Sequence, residues 1–135
     1  MKKTLARWKR ALGEAKRRGE PADFHELRKA VKAHWAQLGL LRGFRPDGFA
    51  ERREAVDALG ERLGELNDLH VMRAALAAGM PGLPSGPYAQ PFDRLMKRQA
   101  KALAGRALDE AARLHADRPR RLRRQLEGVR ADEAA

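Results

Sequence analysis

His25, Arg28, Lys29 and Lys32 are the residues of this chain whose types and spacing most readily do chemistry. At about 100° per residue they fall in one sector of a helix, while Phe24, Leu27, Val31, His34, Leu38 and Leu41 fall in an adjoining one. Like charges at this spacing repel one another, so a solitary helix gains nothing from the arrangement and an anionic partner would offset it. The chemistry implied is recognition of an anion by charge-assisted donors, with His25 at the border of the row. Spacing alone leaves a second reading open, a charged face that is simply solvated. Arg94, Lys97, Arg98 and Lys101 repeat the theme on a later segment, opposite its apolar stripe, and two such rows suggest a groove.

Bond-making chemistry has little to work with. Ser85 is the only serine, Thr4 the only threonine, and cysteine is absent, so the usual nucleophiles are nearly missing. Gly60 and Gly64 lie in a helical pattern without the Gly-Lys-Ser/Thr of a phosphate-binding loop. No two histidines are three or four residues apart and there is no thiol, so a metal site of sequence-local ligands is not expected. His34 and His70 sit on apolar stripes and read as core histidines, and His115 lies near a helix end. Trp8 and Trp35 read as packing residues. Asp68 either orients a basic side chain or serves helix packing or a salt bridge. The pattern describes a binding module that needs no cofactor and is not an enzyme. Its rivals are a nucleic-acid-binding protein, an accessory domain for an enzyme, and a metal-dependent phosphohydrolase using acidic-helix carboxylates.

The elements that must position these residues are helices. Isoleucine is absent and valine occurs only at Val31, Val56, Val71 and Val129, which leaves little to build a sheet, whereas helix formers are everywhere. Leu5, Trp8, Leu12 and Ala15 predict a first helix over about 3–18, stopped by Gly19 and Pro21. Asp23 as N-cap with Glu26 three residues on predicts a second over about 23–42, before Gly43. Pro46 and Asp47 open the next stretch, and Val56, Leu59, Leu63, Leu66 and His70 mark a third helix over about 48–78. Four prolines and three glycines make 79–91 a loop. Phe92, Met96, Leu103, Ala107 and Leu114 line a fourth helix over about 90–116, and Pro119 opens a short last one carrying Leu122, Leu126 and Val129. The expected fold is all-α, an antiparallel bundle of about four long helices plus a short C-terminal helix, in a single domain over 1–135 with a disordered tail at 131–135.

Charge and length bound the function further. A chain of 135 residues with 29 Lys+Arg against 18 Asp+Glu carries a formal net charge of +11, which calls for an anionic partner. Glu51, Glu54, Asp57, Glu61, Glu65 and Asp68 crowd the third helix, so positive charge is segregated onto the others. The cations of the first helix and Arg118, Arg120, Arg121, Arg123 and Arg124 of the last surround their helices more evenly and read as general attraction. No apolar run approaches the roughly 20 residues that span a bilayer, and the start of the chain is unlike a signal peptide, so a cytoplasmic protein without membrane contact is expected. Aromatics make up only 5% of the chain, too few for the stacking platforms of single-strand binders, and no duplex-reading module is evident.

The run Phe24-His25-Glu26-Leu27-Arg28-Lys29-Ala30-Val31-Lys32-Ala33-His34-Trp35 resembles the hallmark His-x-x-Arg-Lys-x-x-Lys helix of the CHAD family. Leu63-Gly64-Glu65-Leu66-Asn67-Asp68-Leu69 is similar to that family's second hallmark, and Arg98-Gln99 with Gly105, and Leu114 through Pro119, are weaker matches. The resemblance spans about residues 20–125. It implies a helical domain that binds inorganic polyphosphate, with His25, Arg28, Lys29 and Lys32 on the motif's basic positions. The family's usual domain has two four-helix halves, and this chain carries one copy of each hallmark. A homodimer would supply the second half; otherwise the chain is a fragment or a genuine half-domain.

Overall fold

Residues of high helix propensity fill the chain, and the described residues form helices and turns with no strand. The computed structural model describes the backbone of residues 1–41 and 46–134, and side chains over 1–41 and 49–117. Helix α1 is Lys2–Arg17, α2 is Pro21–Leu41, α3 is Pro46–Ala77 and α4 is Ala89–Ala134, with a single 3-10 turn, Gly86–Tyr88, leading into the last. Gly43 lies outside the described residues.

Local chemistry sets the helix ends. After α3, Gly79 adopts a φ of 71°. Its N–H donates to the Leu76 carbonyl at 3.1 Å and the Met80 N–H to that of Ala75 at 3.1 Å, the paired bonds that close a helix on a left-handed glycine. Gly19, with φ 66°, follows α1 in the same conformation. The start of α2 corrects the sequence reading. Glu20 is the cap, its carbonyl accepting from the N–H groups of Asp23 at 3.0 Å and Phe24 at 3.3 Å. The Asp23 carboxylate reaches back to the Glu20 N–H at 3.1 Å, the returning half of a capping box. Because Pro21 fits the first turn, where its missing N–H costs nothing, α2 begins three residues earlier than Asp23 as N-cap would place it.

Contacts between elements fix an antiparallel up-and-down bundle. α1 packs on α2 and α4, and α3 packs on α2 and α4, so α1 faces α3 and α2 faces α4 across diagonals. The expected stripes supply the core: Leu5, Trp8, Leu12 and Ala15 from α1, Phe24, Leu27, Val31 and Leu38 from α2, and Val56, Leu59, Leu63 and Leu66 from α3 are all buried. From α4 come Met96, Ala100, Ala107 and Ala111, mostly small residues that let it approach closely. The short helix expected after Pro119 is instead the continuation of α4. A proline takes one hydrogen bond from the ladder, and strong helix formers on both sides carry the helix through it. The expected tail is likewise part of this helix as far as Ala134, whereas Ala135 and the side chains of Leu122, Leu126, Val129 and the arginines at 118–124 lie outside the description.

Candidate functional site

The cationic row of α2 stands where the wheel puts it. His25, Lys29 and Lys32 are exposed, while Arg28 is half-buried toward α3. His25 and Lys32 make no ion pair or hydrogen bond among the described residues, and Lys29 pairs with Glu26 at 2.8 Å. That bond holds the Glu26 carboxyl below its ordinary range.

Arg28 differs from the other three. Its guanidinium lies over Gly64 of α3: a Cβ added to Gly64 would meet Nη2 at 3.3 Å and Cζ at 3.5 Å. The two hallmark segments therefore touch at this point. Arg28 Nε is buried without a hydrogen-bond partner among the described residues, an uncommon state for a buried donor. A second arginine crosses the same interface in the opposite direction. Arg53 of α3 lies over Gly39 of α2, where a Cβ would meet its Nη2 at 2.9 Å. Arg53, however, is held by protein on two sides. It stacks 4.1 Å from the Trp35 ring centroid and its Nε donates to the Trp35 carbonyl at 3.5 Å.

Arg94, Lys97, Arg98 and Lys101 are all exposed on α4 and form no ion pair among the described residues. Because α2 and α4 are diagonal, their rows border no common groove within one chain, contrary to what two rows suggest from sequence. Arg94 to Lys101 form a separate patch.

His34 and His70 have different fates. His34 is fully buried where all four helices meet. Its Nε2 accepts from Arg52 Nε at 3.1 Å, so that nitrogen carries a lone pair, and Arg52 Nη2 also donates to the Leu114 carbonyl at 2.8 Å. Trp8 stands edge-on to His34 at 5.6 Å and donates its indole N–H to the Ala111 carbonyl at 3.2 Å. Arg52 escaped sequence reading as a core residue, although it precedes Val56 by four on the buried stripe. His70 is half-buried beside Phe24, ring centroids 6.1 Å apart. It lines a shallow cleft at one end of the bundle with Pro21, Arg73, Gln90 and Asp93. Burial, and then the Arg73 charge, depress the His70 pKa. Arg73 bonds both Asp93 oxygens, at 2.9 and 3.2 Å, which holds the Asp93 carboxyl below its ordinary range. His115, near the end of the side-chain description, contacts the Leu5 carbonyl at 3.2 Å. Among the described residues no three His, Asp or Glu side chains gather as a metal site, and no helix is long and apolar enough to cross a membrane.

Fold and face together define an up-and-down four-helix bundle with a cationic flank along its second helix. A family model, the CHAD domain, matches residues 1–77, more than half of the chain, and the chain belongs to that family. The match takes in α1, α2 and α3 and both hallmark segments, and leaves the weaker similarities on α4 outside it. No curated protein and no solved structure matches the chain.

Proposed function

We propose that the chain is a non-catalytic binder of inorganic polyphosphate or a related phosphate polyanion, held along α2 by His25, Lys29 and Lys32 with Arg28 at the inner edge. The observation that carries this reading is Arg28, a half-buried guanidinium whose Nε has no acceptor among the described residues, set beside exposed cations on the helix that bears the family hallmark. The planar guanidinium fork suits phosphate oxygens in a way that a point-charge ammonium does not. The row on α4, Arg94, Lys97, Arg98 and Lys101, serves as a second contact patch. A second copy of the chain completes the site, since one bundle presents its two rows on diagonal helices. The protein acts in the cytoplasm, without cofactor.

Replacing Arg28 and Lys32 by Ala tests position against charge count. Titration with long-chain polyphosphate at physiological salt should show at least tenfold weaker binding, about the loss of one well-formed charge-assisted contact. Lys9 and Lys16, exposed on α1, carry the same formal charge and should lose much less when replaced together. Equal losses would reduce the face to a diffuse cationic cloud. The net charge of +11 favours nucleic acid as the alternative partner. Single-stranded and duplex DNA titrated in parallel, and equal to polyphosphate in affinity, would establish that alternative instead.

A further inference from the structure

Two glycines inside helices let an arginine from the neighbouring helix lie against the backbone, and the two arginines end differently. At Gly39 the visitor, Arg53, is satisfied by the Trp35 ring and carbonyl. At Gly64 the visitor, Arg28, meets no ring among the described residues, and its Nε is buried without a partner among them. The first arrangement is complete within the protein. The second leaves a guanidinium against the α3 backbone with its Nε–H unspent among the described residues.

We propose that Gly64 is a positioning residue for anion binding: by lacking a Cβ it lets the Arg28 guanidinium lie against α3, which places the inward donor of the α2 face. This rests on the polyphosphate-binding reading given above. Any side chain at position 64 starts with a Cβ 3.3 Å from Nη2, tighter than most such contacts, and 3.5 Å from Cζ, an ordinary one. The crowded atom belongs to the tip of a flexible side chain, so the fold need not yield; the Arg28 guanidinium gives by a few tenths of an ångström and shifts from its place against α3. Glycine is a poor residue for a helix interior, and alanine in its place favours the helix. Binding and stability therefore respond in opposite directions, which a merely structural glycine would not produce. Gly60, one turn earlier, is the internal control, because a Cβ there lies 3.8 Å from Val31 Cγ1, an ordinary contact.

The test uses the full chain and long-chain polyphosphate at physiological salt, with Gly64→Ala, Gly60→Ala, Arg28→Ala and the Gly64→Ala/Arg28→Ala double variant. Gly64→Ala should bind about fivefold or more weakly while its melting temperature stays level or rises by a few degrees, about the response to a small gain in helix propensity. Gly60→Ala should bind as the parent does. In the Arg28→Ala background the second substitution should change nothing, because the group it displaces has gone. Parent-like binding by Gly64→Ala, with Arg28→Ala weakened, would overturn the inference and leave the binding reading intact. An equal loss with and without Arg28 would overturn it too, by tracing the effect to the helix. If Arg28→Ala itself binds like the parent, the assignment of the site to α2 fails, and the inference with it.

Discussion

Arginines do four different jobs in this bundle, and their surroundings decide which. Arg52 is buried against the His34 ring and the Leu114 carbonyl, Arg53 is stacked on Trp35, Arg73 is forked onto Asp93, and Arg28 is left with donors to give. The Arg73–Asp93 pair and its neighbour His70 make the end of the bundle sensitive to acid. His70 has a folded pKa below the ordinary 6.5, so the unfolded chain takes up that proton first and stability declines as pH falls below about 6.5. Asp93 sits below the ordinary 3.8, so its contribution is whole above that value and is lost as pH falls through the depressed folded value. Urea unfolding midpoints followed from pH 8 to pH 2 should therefore fall in two stages. His70→Gln should flatten the upper stage and leave the lower one, and Asp93→Asn should do the reverse. An upper stage of unchanged slope in His70→Gln would mean that His70 is not responsible for it.

The α2 and α3 helices touch through glycines at both ends of their interface, and the two contacts differ in how much they can yield. At Gly39 a Cβ would come within 2.9 Å of an Arg53 guanidinium that Trp35 holds in place. Gly39→Ala should therefore lower stability by about 1–3 kcal/mol, as overpacking does, despite the gain in helix propensity. Denaturant unfolding measures this directly, and a stabilised variant would show that Arg53 is free to move. Sequence pattern finds the helices, because a stripe such as Val56, Leu59, Leu63 and Leu66 repeats at helical spacing whatever it packs on. It also finds the α2 row, because amphipathicity is a property of one helix. Pattern does not find what depends on two helices at once: Gly64 under Arg28, Arg53 over Gly39, or Arg52 against His34. Asp23 was legible as a cap residue but not in its place, since a carboxylate can bond forward from the cap or back from the third position. Pro119 carried two meanings, a first-turn residue or an interrupted helix, and neighbouring propensity alone does not choose between them.

At the scale of the whole molecule, charge is segregated around the bundle. Exposed acids run along α3 at Glu51, Glu54, Asp57, Glu61, Glu65 and Asp68, while cationic rows occupy α2 and α4 across a diagonal. A polyanion on the α2 row of one chain therefore cannot also reach the α4 row through a shared groove. A second chain can offer it another cationic face. Two copies of a protein with net charge +11 repel each other, and a bound polyanion neutralises that repulsion and bridges them. Association should thus depend on ligand and on its length: sedimentation should find a monomer alone, a dimer with long-chain polyphosphate, and a monomer with triphosphate, which is too short to span two faces. Raising the salt should dissolve the dimer and weaken binding together, because both rest on counterion release. Arg94→Ala/Arg98→Ala should weaken the dimer while leaving first-chain binding through α2 nearly intact, if α4 supplies the bridging contacts. A chain that stays strictly monomeric while binding long polyphosphate tightly would show that one bundle is a complete site, and the second copy would drop out of the mechanism.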